Sequence, residues 1–184
     1  MKAVFGVTGW KNAGKTTLVS RLVATFSARG HTVSTVKHAH EGYEMDREGS
    51  DTHQHAAAGA QEIAIAGGPR WALLHEGSGD NATLPDMVAR LSPCDLVLVE
   101  GFKGEPHPKI ECRRESSVSQ QPIWQRNPTI VAVASSGVDE PCPVPEFDLD
   151  DVETIADFIT DHLGLASGLG SRSGTGIGSG NGAA

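Results

Sequence analysis

The stretch Gly9-Trp10-Lys11-Asn12-Ala13-Gly14-Lys15-Thr16 satisfies the pattern G-x-x-x-x-G-K-S/T at every position, and no other feature of the chain restricts the fold as much. The pattern holds a phosphate only in one setting. A buried strand must deliver the loop to a sheet edge, and glycines must let successive backbone N–H groups turn toward phosphate oxygens. A helix must then start, so that its positive dipole end faces the same anion. Both neighbours are present. Residues 2 to 8 (Lys-Ala-Val-Phe-Gly-Val-Thr) read as a buried strand. From Thr16 to Arg29 the residues Leu18, Leu22, Val23 and Phe26 recur at helical spacing, and Gly30 closes the helix. In this reading Gly9, Asn12, Ala13 and Gly14 form the phosphate cradle and Lys15 bridges the terminal phosphates. Thr16 offers its hydroxyl to Mg²⁺, and Thr17 completes the loop at the helix start. Lys11 stands one place after the position where one subclass of such proteins carries an extra lysine. Trp10 fills that position, so Lys11 reads as an exposed or auxiliary phosphate contact.

Strand and helix signals alternate through the rest of the chain. Strands are predicted at His31–Lys37, Glu62–Ala66, Arg70–His75, Asp95–Glu100, Lys109–Arg113 and Thr129–Ala134. Helices are predicted at Thr52–Ala60, Leu84–Leu91 and Val152–Leu163, with a turn at Gly67-Gly68-Pro69. This alternation predicts an α/β protein with a three-layer P-loop NTPase fold, a mostly parallel sheet covered by helices on both faces. At 184 residues, 38% of them hydrophobic, the chain suits one core, so residues 1–163 are expected to form one nucleotide-binding domain. From Gly164 onward 12 of 21 residues are Gly or Ser, a composition expected to give a disordered tail.

A formal charge of −8 gives no electrostatic footprint for nucleic acid or an anionic membrane surface. No run approaches the roughly 18 to 20 apolar residues of a membrane span, and Met1 leads straight into strand-like sequence, so a cytoplasmic protein is expected. The three cysteines, Cys94, Cys112 and Cys142, lack the spacing of a disulfide framework or a zinc site.

A carboxylate at the carboxyl end of a core strand beside the phosphate loop is where a Mg²⁺-water ligand or water-orienting group belongs, which singles out Glu100. Lys15 and Glu100 are therefore the residues expected to carry any hydrolysis. Asp95 starts the same strand and belongs at its other end. In the polar connection after the second strand, Asp46, Gly49 and Asp51 are placed to approach Mg²⁺. Asp51 equally suits a surface loop or a helix N-cap before Thr52-His53. Lys37, His38, Lys103 and Lys109 lie where they would form a basic rim for a phosphorylated ligand. His38-Ala39-His40 and His53-Gln54-His55 are open to two readings, a transition-metal site or polar, anion-contacting side chains.

Several segments together carry a more specific signal: the phosphate loop continued as Thr16-Thr17-Leu18, Lys37-His38-Ala39-His40, Asp46-x-x-Gly49-x-Asp51, Ala58-Gly59-Ala60, Leu98-Val99-Glu100-Gly101-Phe102-Lys103, and Pro108-Lys109-Ile110-Glu111. In this order they closely resemble the MobB family of molybdopterin-guanine dinucleotide biosynthesis adapter proteins, from about residue 2 to 134. The resemblance implies a GTP- and Mg²⁺-binding homodimer with weak hydrolysis. Such a protein assists the molybdopterin guanylyltransferase in molybdenum cofactor biosynthesis, with molybdopterin a further possible ligand. It carries phosphate and Mg²⁺ roles to Gly14, Lys15 and Thr16, a nucleotide-site role to Glu100, and a family-specific surface to His38, His40, Lys103 and Lys109. Glu48 departs from the pattern, standing where the family's Asp-x-x-Gly segment is expected to have Pro. No Asn-Lys-x-Asp motif for guanine is present, and Asp139 is a candidate for reading the base. Two rivals use the same loop: a small-molecule kinase drawing on Arg113, Arg114 or Arg126, and a GTP-dependent nickel metallochaperone using the histidines.

Overall fold

The computed structural model describes residues 2–39, 48–76, 82–115, 120–137 and 141–166. In chain order the elements are β1 (Ala3–Gly9), α1 (Lys15–Ala28), β2 (Val33–Lys37), α2 (Asp51–Ala57), β3 (Glu62–Gly67), β4 (Arg70–His75), α3 (Leu84–Arg90), β5 (Leu96–Glu100), β6 (Lys109–Arg114), β7 (Ile130–Ser136), β8 (Glu146–Asp148) and α4 (Val152–Leu163). Six strands pair in parallel in the order β2-β5-β1-β6-β7-β8. β5 and β1 lie inside the sheet, where a strand is covered on both faces: every residue of β5, Leu-Val-Leu-Val-Glu, is buried.

Alternation along these strands separates two packing faces. Phe5, Val7, Leu96, Leu98, Ile110 and Cys112 point to one face, where they meet Leu18, Leu22 and Phe26 of α1 and Ile155 and Ile159 of α4. The apolar residues of α1 recur every fourth position, which puts them on one stripe. Val97 and Val99 point to the other face, with Val36 of β2, and meet Leu84, Met87 and Val88 of α3. Helices therefore cover both faces, as the α/β reading requires. α4 closes on Gly164 in the left-handed region, with Leu165 N–H returning to Thr160 O at 3.0 Å. Leu165 packs against the core. The predicted tail lies beyond it, and residues 167–184 fall outside the described residues.

Over β6 the second face is covered differently. Lys109, Glu111 and Arg113, three buried polar side chains at alternate positions, point there. Glu111 accepts the backbone N–H of Ile123 (3.0 Å) and Trp124 (2.9 Å) and the Arg113 guanidinium (3.4 Å). The residues from Gln120 to Asn127, with a single 3-10 turn at Ile123–Gln125, are thus pinned to the sheet by a buried carboxylate.

β3 and β4 stand outside the parallel sheet. They form their own antiparallel pair, with Gly67 opposite Arg70 across Gly68-Pro69. A two-residue link can only reverse the chain, whereas a parallel neighbour needs a crossover of a dozen or more residues. The pair leaves large apolar side chains in solvent: Trp71 is 75%, Leu73 48% and Ile65 42% exposed.

Candidate functional site

β1 lies between β5 and β6, so the chain turns in opposite directions on its two sides. The carboxyl edge at such a switch point opens a crevice. The Gly9–Thr16 loop leaves β1 there. Gly9 has φ +144°, and a Cβ on it would sit 2.6 Å from the Cys112 carbonyl oxygen, so the loop's first residue must lack a side chain. Gly14 (φ +97°) caps α1, and Asn12 is also left-handed at φ 64°. Ala13 is buried, while Lys11, Asn12, Thr16 and Thr17 are exposed along the rim.

The loop is already organised. Lys15 Nζ donates to Trp10 O at 2.6 Å, folding its ammonium over the loop. Burial lowers the Lys15 pKa most. Cys112 and Glu100 oppose this shift, while Lys103 and Lys37 reinforce it, so the ammonium lies among several charges. The Cys112 thiol beneath the loop is pushed up to about 12 by burial, which makes it an inert packing group. Trp10 pins the loop laterally. Its indole N–H donates to Gln121 O at 2.9 Å, and Lys103 Nζ lies 4.4 Å above its ring. Asn127 Nδ2 reaches Lys103 O at 2.7 Å, so one segment braces both the loop and the turn after β5.

Glu100 ends β5 beside Val7 of β1 on one flank and Lys37 of β2 on the other. Its Oε1 accepts the Thr16 hydroxyl at 2.9 Å and lies 3.3 Å from Lys37 Nζ. A threonine hydroxyl and a carboxylate at the mouth of a phosphate loop are hard oxygen donors suited to Mg²⁺. Those two residues fit the ion. His38 donates its backbone N–H to Glu100 O at 2.9 Å and rests its ring 4.7 Å from Phe102. Asp46 and His40 lie outside the described residues, as does Asp139.

Thus Lys15, Thr16, Glu100, Lys37, His38 and Lys103 gather around one crevice. Lys109 does not, which corrects its place in the basic rim. It opposes Gly6, deep in β1, and is fully buried. Its ammonium is taken up by Glu105 O, by His107 O at 2.8 Å and by Thr129 Oγ1 at 3.0 Å. Burial lowers its pKa to about 8. It works as a staple between the turn after β5 and the start of β7. Asp95 sits at the opposite end of β5, accepting the N–H and hydroxyl of Thr32, each at 2.7 Å. The cap of α2 is Ser50, whose hydroxyl accepts His53 N–H at 3.1 Å. Asp51 is the first helical residue instead.

Among the described residues no group of His, Cys, Asp and Glu is arranged to hold a transition metal. Of the kinase arginines, Arg113 is buried against Glu111. Arg114 lies behind the loop, where a Cβ on Gly14 would come 3.1 Å from its Nε. No helix among the described residues is long and apolar enough to cross a membrane. Sequence reasoning missed Trp10, Gln121 and Asn127 as supports of the site. The available signal was an aromatic residue inside a loop that otherwise needs only small or polar ones.

A family model described as MobB, molybdopterin guanine dinucleotide synthesis protein B, matches residues 4–136. The chain is 34% identical over 164 residues to the molybdopterin-guanine dinucleotide biosynthesis adapter protein of Haemophilus influenzae, covering 87% of this chain and 89% of that one. It is 33% identical over 162 residues to the protein of that name from Escherichia coli, covering 86% and 92%. Its fold is similar to the crystal structure of Bacillus subtilis MobB, with a TM-score of 0.67 at 28% identity over 88% of this chain and 98% of that one. A MobB homolog from Bacillus stearothermophilus gives a TM-score of 0.64 at 29% identity over 89% and 99%.

Proposed function

We infer the function from one premise: this chain belongs to the molybdopterin guanine dinucleotide synthesis protein B (MobB) family. It is an adapter in the biosynthesis of molybdopterin guanine dinucleotide. The finer reading is that it binds GTP with Mg²⁺ in the cytoplasm, hydrolyses it weakly, and assists the molybdopterin guanylyltransferase.

The observation that carries this reading is the meeting of Thr16 and Glu100 at 2.9 Å beside a complete phosphate loop. In it, the backbone of Gly9 to Gly14 and the first turn of α1 bind the phosphate oxygens. Lys15 leaves Trp10 O for the terminal phosphates, and Thr16 with Glu100 holds the ion. Mg²⁺ would supply charge neutralisation across those phosphates. The site has a carboxylate able to orient a water, and Arg113 is committed to Glu111. Weak hydrolysis is part of the same reading.

The chain acts as a homodimer in this reading, and the exposed face of Trp71 and Leu73, which leave the same side of the β3–β4 pair, supports it as the contact. The test of the adapter role is capture of the guanylyltransferase by the full-length protein with GTP and Mg²⁺. Recovery by wild type and loss with Lys15→Ala is the expected result. Absence of the transferase with both proteins would remove the adapter mechanism.

A further inference from the structure

Glu100 Oε1 has two neighbours, and only one of them is accounted for by a nucleotide site. The Thr16 hydroxyl, at 2.9 Å, belongs to the phosphate loop. The Lys37 ammonium, at 3.3 Å, comes from β2. Lys37 and Glu100 are register partners on adjacent parallel strands, so their side chains leave the same face of the sheet side by side. Their surroundings differ sharply. The Glu100 side chain is 11% exposed and held at the sheet edge, whereas that of Lys37 is 60% exposed and its stem is free to swing. A carboxylate enclosed to this degree requires a counter-charge. Lys15 of the loop also feels the Glu100 charge, but its ammonium donates to Trp10 O, and no direct ion pair with Glu100 is formed.

We propose that Lys37 is a resident counter-ion on Glu100, holding the carboxylate that would serve Mg²⁺ until a nucleotide arrives, so that cation binding is conditional on nucleotide. The proposal rests on the Mg²⁺-nucleotide reading of the site. Incoming phosphates give the Lys37 ammonium a stronger anionic partner, and its departure frees Glu100 for the divalent ion. The exchange is felt along the chain, because the next residue, His38, ties the end of β2 to Glu100 O and to Phe102.

The experiment uses the full-length protein without nucleotide and Mn²⁺ as the probe, with free Mn²⁺ followed by electron paramagnetic resonance. Lys37→Met is expected to bind Mn²⁺ at least roughly tenfold more tightly than wild type, since one unit charge is removed from beside the carboxylate. Lys37→Arg should stay close to wild type, and Glu100→Gln should lose the Mn²⁺ signal. Adding a non-hydrolysable GTP analogue should tighten Mn²⁺ far more in wild type than in Lys37→Met. Equal Mn²⁺ affinity of wild type and Lys37→Met without nucleotide would overturn the proposal. So would no measurable binding by Lys37→Met, or unchanged binding by Glu100→Gln. A separate titration with a fluorescent GTP analogue in the presence of Mg²⁺ tests the nucleotide reading by itself. If that fails while the nucleotide-free Mn²⁺ comparison succeeds, Lys37 stands as the counter-ion of Glu100, and its release by nucleotide falls with the nucleotide assignment.

Discussion

The carboxyl edge of the six-stranded sheet and the β3–β4 pair are built on opposite economies of contact. At the sheet edge several polar groups pair within the protein: Lys15 with Trp10, Thr16 and Lys37 with Glu100, Trp10 with Gln121. Below it, β1 and β5 are buried on both faces. The hairpin is two strands wide, and Ile63 is its one buried apolar side chain, while Trp71 stands three-quarters exposed. An isolated pair of strands is marginal in water, and its exposed apolar area needs a cover to be stable. In the proposed reading the described part of the crevice is built from one chain's own residues, whereas the hairpin's exposed apolar side chains call for a cover.

The sharpest way to break this comparison is to disturb packing in each region by one methyl group. A Cβ on Gly6 would lie 2.6 Å from both His107 Nε2 and Lys109 Cγ. Gly6→Ala should therefore cost about 2–4 kcal/mol in urea unfolding. Next, Lys15→Ala should weaken GTP binding by roughly 100-fold, the loss of a charge-assisted contact of about 2–3 kcal/mol. Its melting temperature should barely move, because the ammonium faces the loop and not the core. Unchanged affinity would defeat the phosphate-loop assignment. On the hairpin, Trp71→Ser should weaken self-association by about tenfold or more in sedimentation velocity while leaving GTP affinity intact. A monomeric wild type, or no change on substitution, would separate the hairpin from the dimer.

A smaller effect is expected from pH. His107 lies over Gly6 with neither ring nitrogen partnered among the described residues. Burial first, and Lys109 second, lower its pKa from 6.5 to about 4. The unfolded chain takes up that proton near pH 6.5 and the folded one only near pH 4. Its contribution to stability is thus full above pH 6.5 and declines as pH falls through about 4, by roughly 1–2 kcal/mol. The difference between wild type and His107→Leu across that window isolates it, and parallel curves would refute the assignment. The smallest effect belongs to Gly67→Ala in the hairpin. No atom lies within 4 Å of the added Cβ, so stability should change by less than about 0.5 kcal/mol.

Local patterning was legible wherever local physics decides. Arg70–His75 and Val152–Leu163 begin and end where their residue patterns indicate, and the phosphate loop stands between its strand and helix. What the pattern lacks is partnership. Glu-Ile-Ala-Ile-Ala in β3 has the composition of a core strand, and only its short link to β4 keeps it out of the main sheet. β8 is three residues long and carries one aromatic, too little periodicity to register. Lys109 resembles a rim lysine because its burial depends on the carbonyls of Glu105 and His107 and on Thr129, which the chain brings round from elsewhere. The pairing of Lys37 with Glu100 follows from strand order, and residues 63 positions apart give no local hint of it.

The tethering of Trp10 bears on the heat of ligand binding. With the indole fixed to Gln121 O and Lys103, and the Lys15 ammonium already on a carbonyl, the loop has shed most of its disorder in advance. A nucleotide then trades one hydrogen bond of Lys15 for another and orders little new chain. Calorimetry should record a modest enthalpy with a small entropic penalty. Trp10→Ala, by releasing the loop, should make that penalty grow faster than the affinity falls.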